Sequence, residues 1–340
     1  LGGGAPTETK GVAEYAAAAQ ALYRSAVAPA AAAFGARRLL VVPDGALNYV
    51  PFEALVTAPG GTDYSALPYL VKTNEIVYAP SASVLAAVRQ RQRATAGGVL
   101  VVADPVFDAT DLRARGKAAA SKDAPAQRAA LQSALKDVTG SKLMTLRLAR
   151  LVGTRAEAER IADLARDGGP GADVWLDFDA SEGNVRGRNL GGYRVLHFAT
   201  HGLLDAERPQ FTGLALTLVG DPEADGFLRV EEVFNLRLGS PLVVLSACET
   251  GLGKEKRGEG VIGLTRAFMY AGAPTVGVSL WSVADRSTAE LMPEFYKRLL
   301  ASGGNEPVAA MRAAQQQMIA NKRYSAPFYW APFVLVGDWR

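Results

Sequence analysis

The chain holds one cysteine and two histidines in 340 residues. Cys248 with His201 or His197 has the makings of a thiol nucleophile and its base. Cys248 ends the apolar run Leu242–Ala247 and opens Glu249-Thr250-Gly251. His201 ends the run Val195–Thr200 and precedes Gly202. Apolar, β-branched runs that open into glycine turns place side chains at the carboxyl edge of a parallel sheet. A free cysteine is often just a buried, inert small hydrophobe, but the position at the end of the run favours the reactive role. His197 and His201 are four apart, so an unbroken strand would place both on one side. His197, inside the run, reads as a buried, hydrogen-bonded histidine. His201, at the end, reads as the base.

The chemistry would be thiol proteolysis. A free thiol is mostly protonated near neutral pH, and an adjacent imidazole stabilises the thiolate or takes its proton. The thiolate attacks a peptide carbonyl, the backbone N–H groups of Cys248 and Gly202 receive the oxyanion, and water resolves the thioester. No third residue that would orient the imidazole is evident. A serine hydrolase built on Ser246 would lack Gly-x-Ser-x-Gly. Around Lys254 a phosphate-binding loop fails, because Glu255 follows the lysine and Cys248 stands where a glycine is required. One cysteine and two histidines make no zinc set, and no metal or cofactor is expected.

The elements that must position these residues alternate between helix and strand. Apolar recurrence predicts a helix over 12–34 that Pro29 ends or kinks. Strands are predicted at 38–42, 75–79 and 98–103, with a helix near 83–93. Thr154-Arg155-Ala156-Glu157 reads as a capping box opening a helix that runs to Gly168-Gly169. Strands follow at 173–178, 193–200, 242–247, 275–281 and 333–336, the last closing the sheet. Helices are expected at 260–272, at 287–300 with a kink at Pro293, and at 306–321. Such alternation predicts an α/β fold with a mostly parallel sheet flanked by helices.

Composition sets bounds. The chain is 49% hydrophobic and 21% charged, and 37 basic against 34 acidic residues leave a net charge of +3. That is an ordinary globular balance, and it gives no reason to expect direct binding to nucleic acid. No apolar run is long enough for a membrane partner. A lone cysteine fits a reducing, cytoplasmic compartment. Leu1-Gly2-Gly3-Gly4-Ala5-Pro6 reads as a tail or cut linker, with more protein upstream. Residues 104–142, rich in Ala, Lys, Arg, Asp and Ser, read as a solvated loop: a docking segment or, more simply, a surface insertion. They divide the chain into 1–142 and 143–340.

Several motifs together resemble the CHAT domain, a caspase-like branch of the clan that includes separases, gingipains, legumains and metacaspases. They are Val41-Val42-Pro43-Asp44-Gly45 with Pro51-Phe52-Glu53-Ala54-Leu55, then Leu196-His197-Phe198-Ala199-Thr200-His201-Gly202. Val244-Leu245-Ser246-Ala247-Cys248-Glu249-Thr250-Gly251 follows with Arg257-Gly258-Glu259-Gly260, then Ser279-Leu280-Trp281-Ser282-Val283-Ala284-Asp285 and Trp330-Ala331-Pro332-Phe333. About 47 residues separate His201 from Cys248, close to the roughly 50 of caspases, whose Ala-Cys pair is also kept here.

The resemblance implies a caspase-like peptidase domain over 143–340 with a Cys248–His201 dyad, and a degenerate caspase-like half over 1–142. It implies a cysteine endopeptidase acting on protein substrates. It further implies control by an upstream tetratricopeptide-repeat (TPR) segment or a regulatory partner, in bacterial signalling or defence. The alternative is a silent CHAT scaffold that binds protein partners without cleaving them. Related proteases select Arg or Lys with an acidic side chain, and Asp285 is placed for that role or for capping the helix that follows. Ser246, Glu249 and Asp205 are further candidates for the specificity pocket.

Overall fold

The computed structural model describes residues 9–90, 97–115, 148–167, 169–204, 212–220, 224–246, 248–251, 257–281 and 285–339. It gives the backbone alone at 9–10, 204, 248–251, 257–262 and 285. Most of the segment expected as a solvated loop lies outside these residues.

The strands are β1 (Leu39–Val41), β2 (Ile76–Tyr78), β3 (Val99–Pro105), β4 (Ala172–Asp177), β5 (Val195–Ala199) and β6 (His201–Leu204). They continue as β7 (Gly213–Ala215), β8 (Phe227–Arg229), β9 (Leu242–Leu245), β10 (Cys248–Gly251), β11 (Thr275–Ser279) and β12 (Phe333–Gly337). The helices are α1 (Thr9–Ala26), α2 (Ala31–Phe34), α3 (Ala82–Arg89), α4 (Val152–Arg166) and α5 (Glu182–Gly187). After them come α6 (Val230–Phe234), α7 (Arg257–Ala271), α8 (Asp285–Ala301), α9 (Pro307–Ala320) and α10 (Pro327–Trp330).

Eight strands form one sheet in the order β1-β2-β12-β11-β9-β5-β3-β4. Every pairing in it is parallel except β11 with β12. The expected α/β architecture, a mostly parallel sheet flanked by helices, is present. β12 does not close the sheet at an edge. It lies inside, antiparallel to β11, and joins β1 and β2 to the other strands. β3 lies between β4 and β5.

Alternation along the central strands divides the core. Val99, Val101, Ala103, Val195, Ala199, Leu242 and Val244 pack with Ile161 of α4, Phe295 and Leu299 of α8 and Met311 of α9. Leu100, Val102, Leu196, Phe198, Val243 and Leu245 face the other way, onto Val185 of α5 and Leu264 and Phe268 of α7. A strand covered on both faces needs an apolar residue at nearly every position, which is why β5 and β9 read as continuous apolar runs.

α8 runs from Asp285 to Ala301 with Pro293 inside it, so the proline does not split the helix. Its missing N–H leaves the carbonyl four residues back without the usual donor. That carbonyl belongs to Ala289, and Arg160 Nη1 donates to it at 3.2 Å. No described helix is long and apolar enough to cross a membrane.

Candidate active site

The histidine and cysteine segments leave the large sheet side by side. β5 and β9 are parallel neighbours, with Phe198 opposite Leu245. Each chain then passes into a smaller four-stranded sheet, of order β10-β6-β7-β8. There β6 and β10 are again parallel neighbours, with His201 opposite Cys248 and Gly202 opposite Glu249. The offset between partners is the same before and after the crossing, and it equals the separation of His201 and Cys248 along the sequence. Adjacent strands lie about 4.8 Å apart, so the two backbones are as close as a sheet allows.

Because β5 ends at Ala199, the two histidines are not on one continuous strand. His197 stays in the large sheet and His201 belongs to the small one. Thr200, fully buried, donates its hydroxyl to the Ala215 carbonyl at the junction.

His201 is buried at 6% exposure. Its Nε2 lies 2.7 Å from the carbonyl oxygen of Ala149. A carbonyl only accepts, so Nε2 carries the proton, and in the neutral ring Nδ1 holds the lone pair. The Phe107 ring lies against the imidazole, centroids 5.1 Å apart. Ala149 therefore provides, from its backbone, the orienting group that no side chain in the sequence announced.

A buried polar chain runs beneath the strand ends. Ser246 Oγ donates to Glu157 Oε1 at 2.8 Å. His197 Nε2 is 3.0 Å from the same oxygen, and its Nδ1 is 3.0 Å from the Tyr296 hydroxyl. The Glu157 contact lacks hydrogen-bond geometry, and Nδ1 accepts from Tyr296. Burial, with the Glu157 charge second, holds that phenol well above its ordinary range, so it remains a donor. His197 is thus the buried histidine expected, hydrogen-bonded through Nδ1.

Glu157 corrects the predicted capping box. α4 begins at Val152, ahead of Thr154, and Leu151 supplies no side-chain cap. Thr154 Oγ1 donates to the Leu151 carbonyl at 2.7 Å and accepts from the Asp104 amide at 3.2 Å. Glu157 lies on the buried stripe with Ala158, Ile161 and Ala165, and that periodicity was the available signal for an inward carboxylate.

Ser246, expected among the specificity candidates, is 4% exposed and its hydroxyl is committed to Glu157. That corrects its placement as a substrate contact. Glu249 lies in β10 and Asp285 opens α8, but their side chains, like that of Cys248, lie outside what the structure describes, and Asp205 lies outside the described residues altogether. Gly202 sits between Glu249 of β10 and Leu214 of β7. Among the described residues no set of three His, Cys, Asp or Glu side chains converges as metal ligands. A cleft of about 170 Å³ lined by Pro43, Asp44, Tyr49, Tyr78 and Arg266 contains none of these site residues.

A family model, the CHAT domain, matches residues 16–338. Over 117 residues, 34% of this chain, the sequence is 37% identical to tetratricopeptide repeat protein 28 of Homo sapiens. It is 34% identical to the Mus musculus protein of the same name. The chain spans only 5% of the length of each. Among solved structures, the Saccharomyces cerevisiae separase–securin complex aligns with a TM-score of 0.46 at 13% identity, covering 88% of this chain and 16% of that one. The complex of Porphyromonas gingivalis RgpB pro- and mature domains aligns with a TM-score of 0.46 at 12% identity, covering 97% of this chain and 71% of that one. The Arg-specific cysteine proteinase gingipain R gives 0.43 at 12% identity, covering 82% and 56%.

Proposed function

The chain belongs to the CHAT domain family, and from that premise we propose that it is a cysteine endopeptidase. Cys248 is the nucleophile and His201 the base. The observation that carries this reading is the register of β6 and β10, which sets His201 opposite Cys248 on adjacent parallel strands.

In the proposed cycle the Cys248 thiol gives its proton to Nδ1 of His201, the nitrogen left as acceptor by the Ala149 contact. The sulfur then bonds to the scissile carbonyl carbon, and the backbone N–H groups of Cys248 and Gly202 take the oxyanion. The C–N bond breaks as His201 returns the proton to the departing amine. Water then attacks the thioester, releases the acid product and restores the thiol. Among the described strands β10 is an edge of the small sheet. In this reading an extended substrate peptide adds to that edge.

For specificity we assign Asp285, with Glu249 and Asp205 behind it, to a basic residue before the scissile bond. Ser246 leaves that set because its hydroxyl points inward. The relatives are tetratricopeptide-repeat proteins far longer than this chain. That supports control by an upstream repeat segment or a partner, in the triggered signalling or defence setting that the family resemblance implies. The division into a degenerate half over 1–142 and a peptidase domain over 143–340 belongs to the same proposal.

The deciding experiment is the pH dependence of Cys248 alkylation, in wild type and in His201→Ala. An apparent thiol pKa well below that of a free cysteine, rising when His201 is removed, is expected. An ordinary value indifferent to His201 would overturn the dyad and favour a scaffold. Cys248→Ala is expected to abolish peptide turnover and leave partner binding intact.

A further inference from the structure

The strap that holds His201 is itself anchored. Ala149 offers its carbonyl to Nε2, and the next residue, Arg150, forks onto Asp104. Its Nε donates to Oδ1 at 2.8 Å and its Nη2 to Oδ2 at 2.7 Å. A bidentate guanidinium–carboxylate pair fixes orientation as well as distance. Asp104 is a rigid anchor: it lies next to the last residue of β3, fully buried, with φ at +47° and its amide donated to Thr154.

Two other guanidinium groups share that carboxylate. Arg113 Nη1 lies 3.1 Å from Oδ1, and Arg155 Nε donates to Oδ2 at 2.8 Å. Both also reach Asp177. Arg155 sits within α4 and Arg113 in the turn after β3. Loss of any one of the three costs Asp104 a partner, but only loss of Arg150 releases the peptide beside Ala149.

We propose that Arg150 is a positioning residue for His201: the Arg150–Asp104 fork holds the Ala149 carbonyl on Nε2 and so fixes which ring nitrogen carries the proton and which is left as acceptor. The inference rests on the dyad reading above and deepens it. A fixed carbonyl acceptor pins the Nε2–H tautomer. It also gains strength when the ring is cationic, which favours the imidazolium a thiolate requires. From β10 the titratable residue in register with His201 is Cys248, with Glu249 one step along. From β7 its register partner is the apolar Ala215, and from the segment after β3 it is the Phe107 ring. Behind the strap stand the charges of Asp104, Asp111, Asp177, Arg113 and Arg155.

With two histidines in the chain, selective ¹⁵N labelling of imidazole yields two ring systems, and His201→Ala assigns them. The 340-residue chain is compared as wild type, Arg150→Ala, Arg150→Lys and Arg155→Ala. Ring ¹⁵N shifts are followed through the neutral pH range, and thiol alkylation is measured alongside. Wild type and Arg155→Ala are expected to hold His201 as the Nε2–H tautomer. Arg150→Ala is expected to average the tautomers, raise the thiol pKa and slow alkylation near neutral pH about tenfold. Arg150→Lys keeps the charge without the fork, so it should fall between. Unchanged ring signals in Arg150→Ala, or equal disruption by Arg155→Ala, would overturn the proposal. Should Arg150→Ala not fold, wild-type ring signals in Arg150→Lys overturn it instead. The ring signals do not depend on thiol reactivity. An ordinary thiol profile in wild type would therefore count against the peptidase while the tautomer still judged the clamp.

Discussion

Glu157 and Ser246 meet at 2.8 Å inside the protein, and that hydrogen bond joins helix α4 to the peptide two residues before Cys248. The same carboxyl oxygen lies 3.0 Å from His197, four residues before His201. One buried carboxyl group therefore ties together the two strands whose ends carry the proposed nucleophile and base.

Removing Glu157 should cost more than removing Ser246. Glu157→Ala leaves a buried hydroxyl without its acceptor and a buried imidazole without its neighbouring carboxylate, a loss of about 3–5 kcal/mol. Ser246→Ala deletes one hydrogen bond and costs about 1 kcal/mol. Denaturant unfolding checks both values. Ser246→Ala is also expected to retain alkylation of Cys248 and peptide turnover, and loss of turnover with an intact thiol profile would return Ser246 to consideration as a nucleophile.

Glu53 makes a prediction about pH. It is buried, accepts from the Tyr78 hydroxyl at 2.6 Å, and has its pKa raised from 4.5 to about 7, chiefly by burial. The folded state thus binds this proton more tightly than the unfolded chain does. Its contribution to stability is fully present below about pH 4.5 and is lost as pH rises through about 7. The full swing is about 3 kcal/mol. Glu53→Gln is expected to flatten the fall between these values and to leave the variant more stable than wild type at pH ~8. An unchanged slope would place the titration elsewhere.

Much of this architecture was legible because burial on both faces forces a pattern. β5 and β9 stand out as apolar runs for that reason, and the spacing of His201 and Cys248 proved to be the register of their strands. Other parts left no such mark. The hydrogen bond that orients His201 comes from a backbone carbonyl, which any residue at position 149 would supply. Strand direction is not written in composition, so β12 gave no sign that it runs antiparallel inside the sheet. Thr154 and Glu157 match a capping box in local spacing alone, and the buried stripe that Ile161 and Ala165 define overrides it.

Gly272 follows α7 with φ at +126°. A Cβ there would lie 2.0 Å from the Leu238 carbonyl oxygen, and backbone cannot yield as a flexible side chain would. Gly272→Ala combines a disfavoured conformation with a collision, and should destabilise the fold by about 2–4 kcal/mol. Thermal unfolding measures it. A loss below about 0.5 kcal/mol would mean that the turn between α7 and β11 adjusts freely.

Arg160 offers a test of how a helix tolerates an internal proline. Pro293 cannot donate to the Ala289 carbonyl, and Arg160, from α4, donates there instead at 3.2 Å. Arg160→Ala should cost about 1 kcal/mol, the net worth of a single hydrogen bond. In a Pro293→Ala background, residue 293 regains an N–H that can close the helical bond, so the same truncation should cost less. A double-mutant cycle isolates this coupling. A coupling energy near zero would show that Arg160 and Pro293 act independently, and the continuity of α8 through its proline would need another cause. A coupling of about 0.5 kcal/mol or more would identify the α4–α8 contact as what keeps the helix whole.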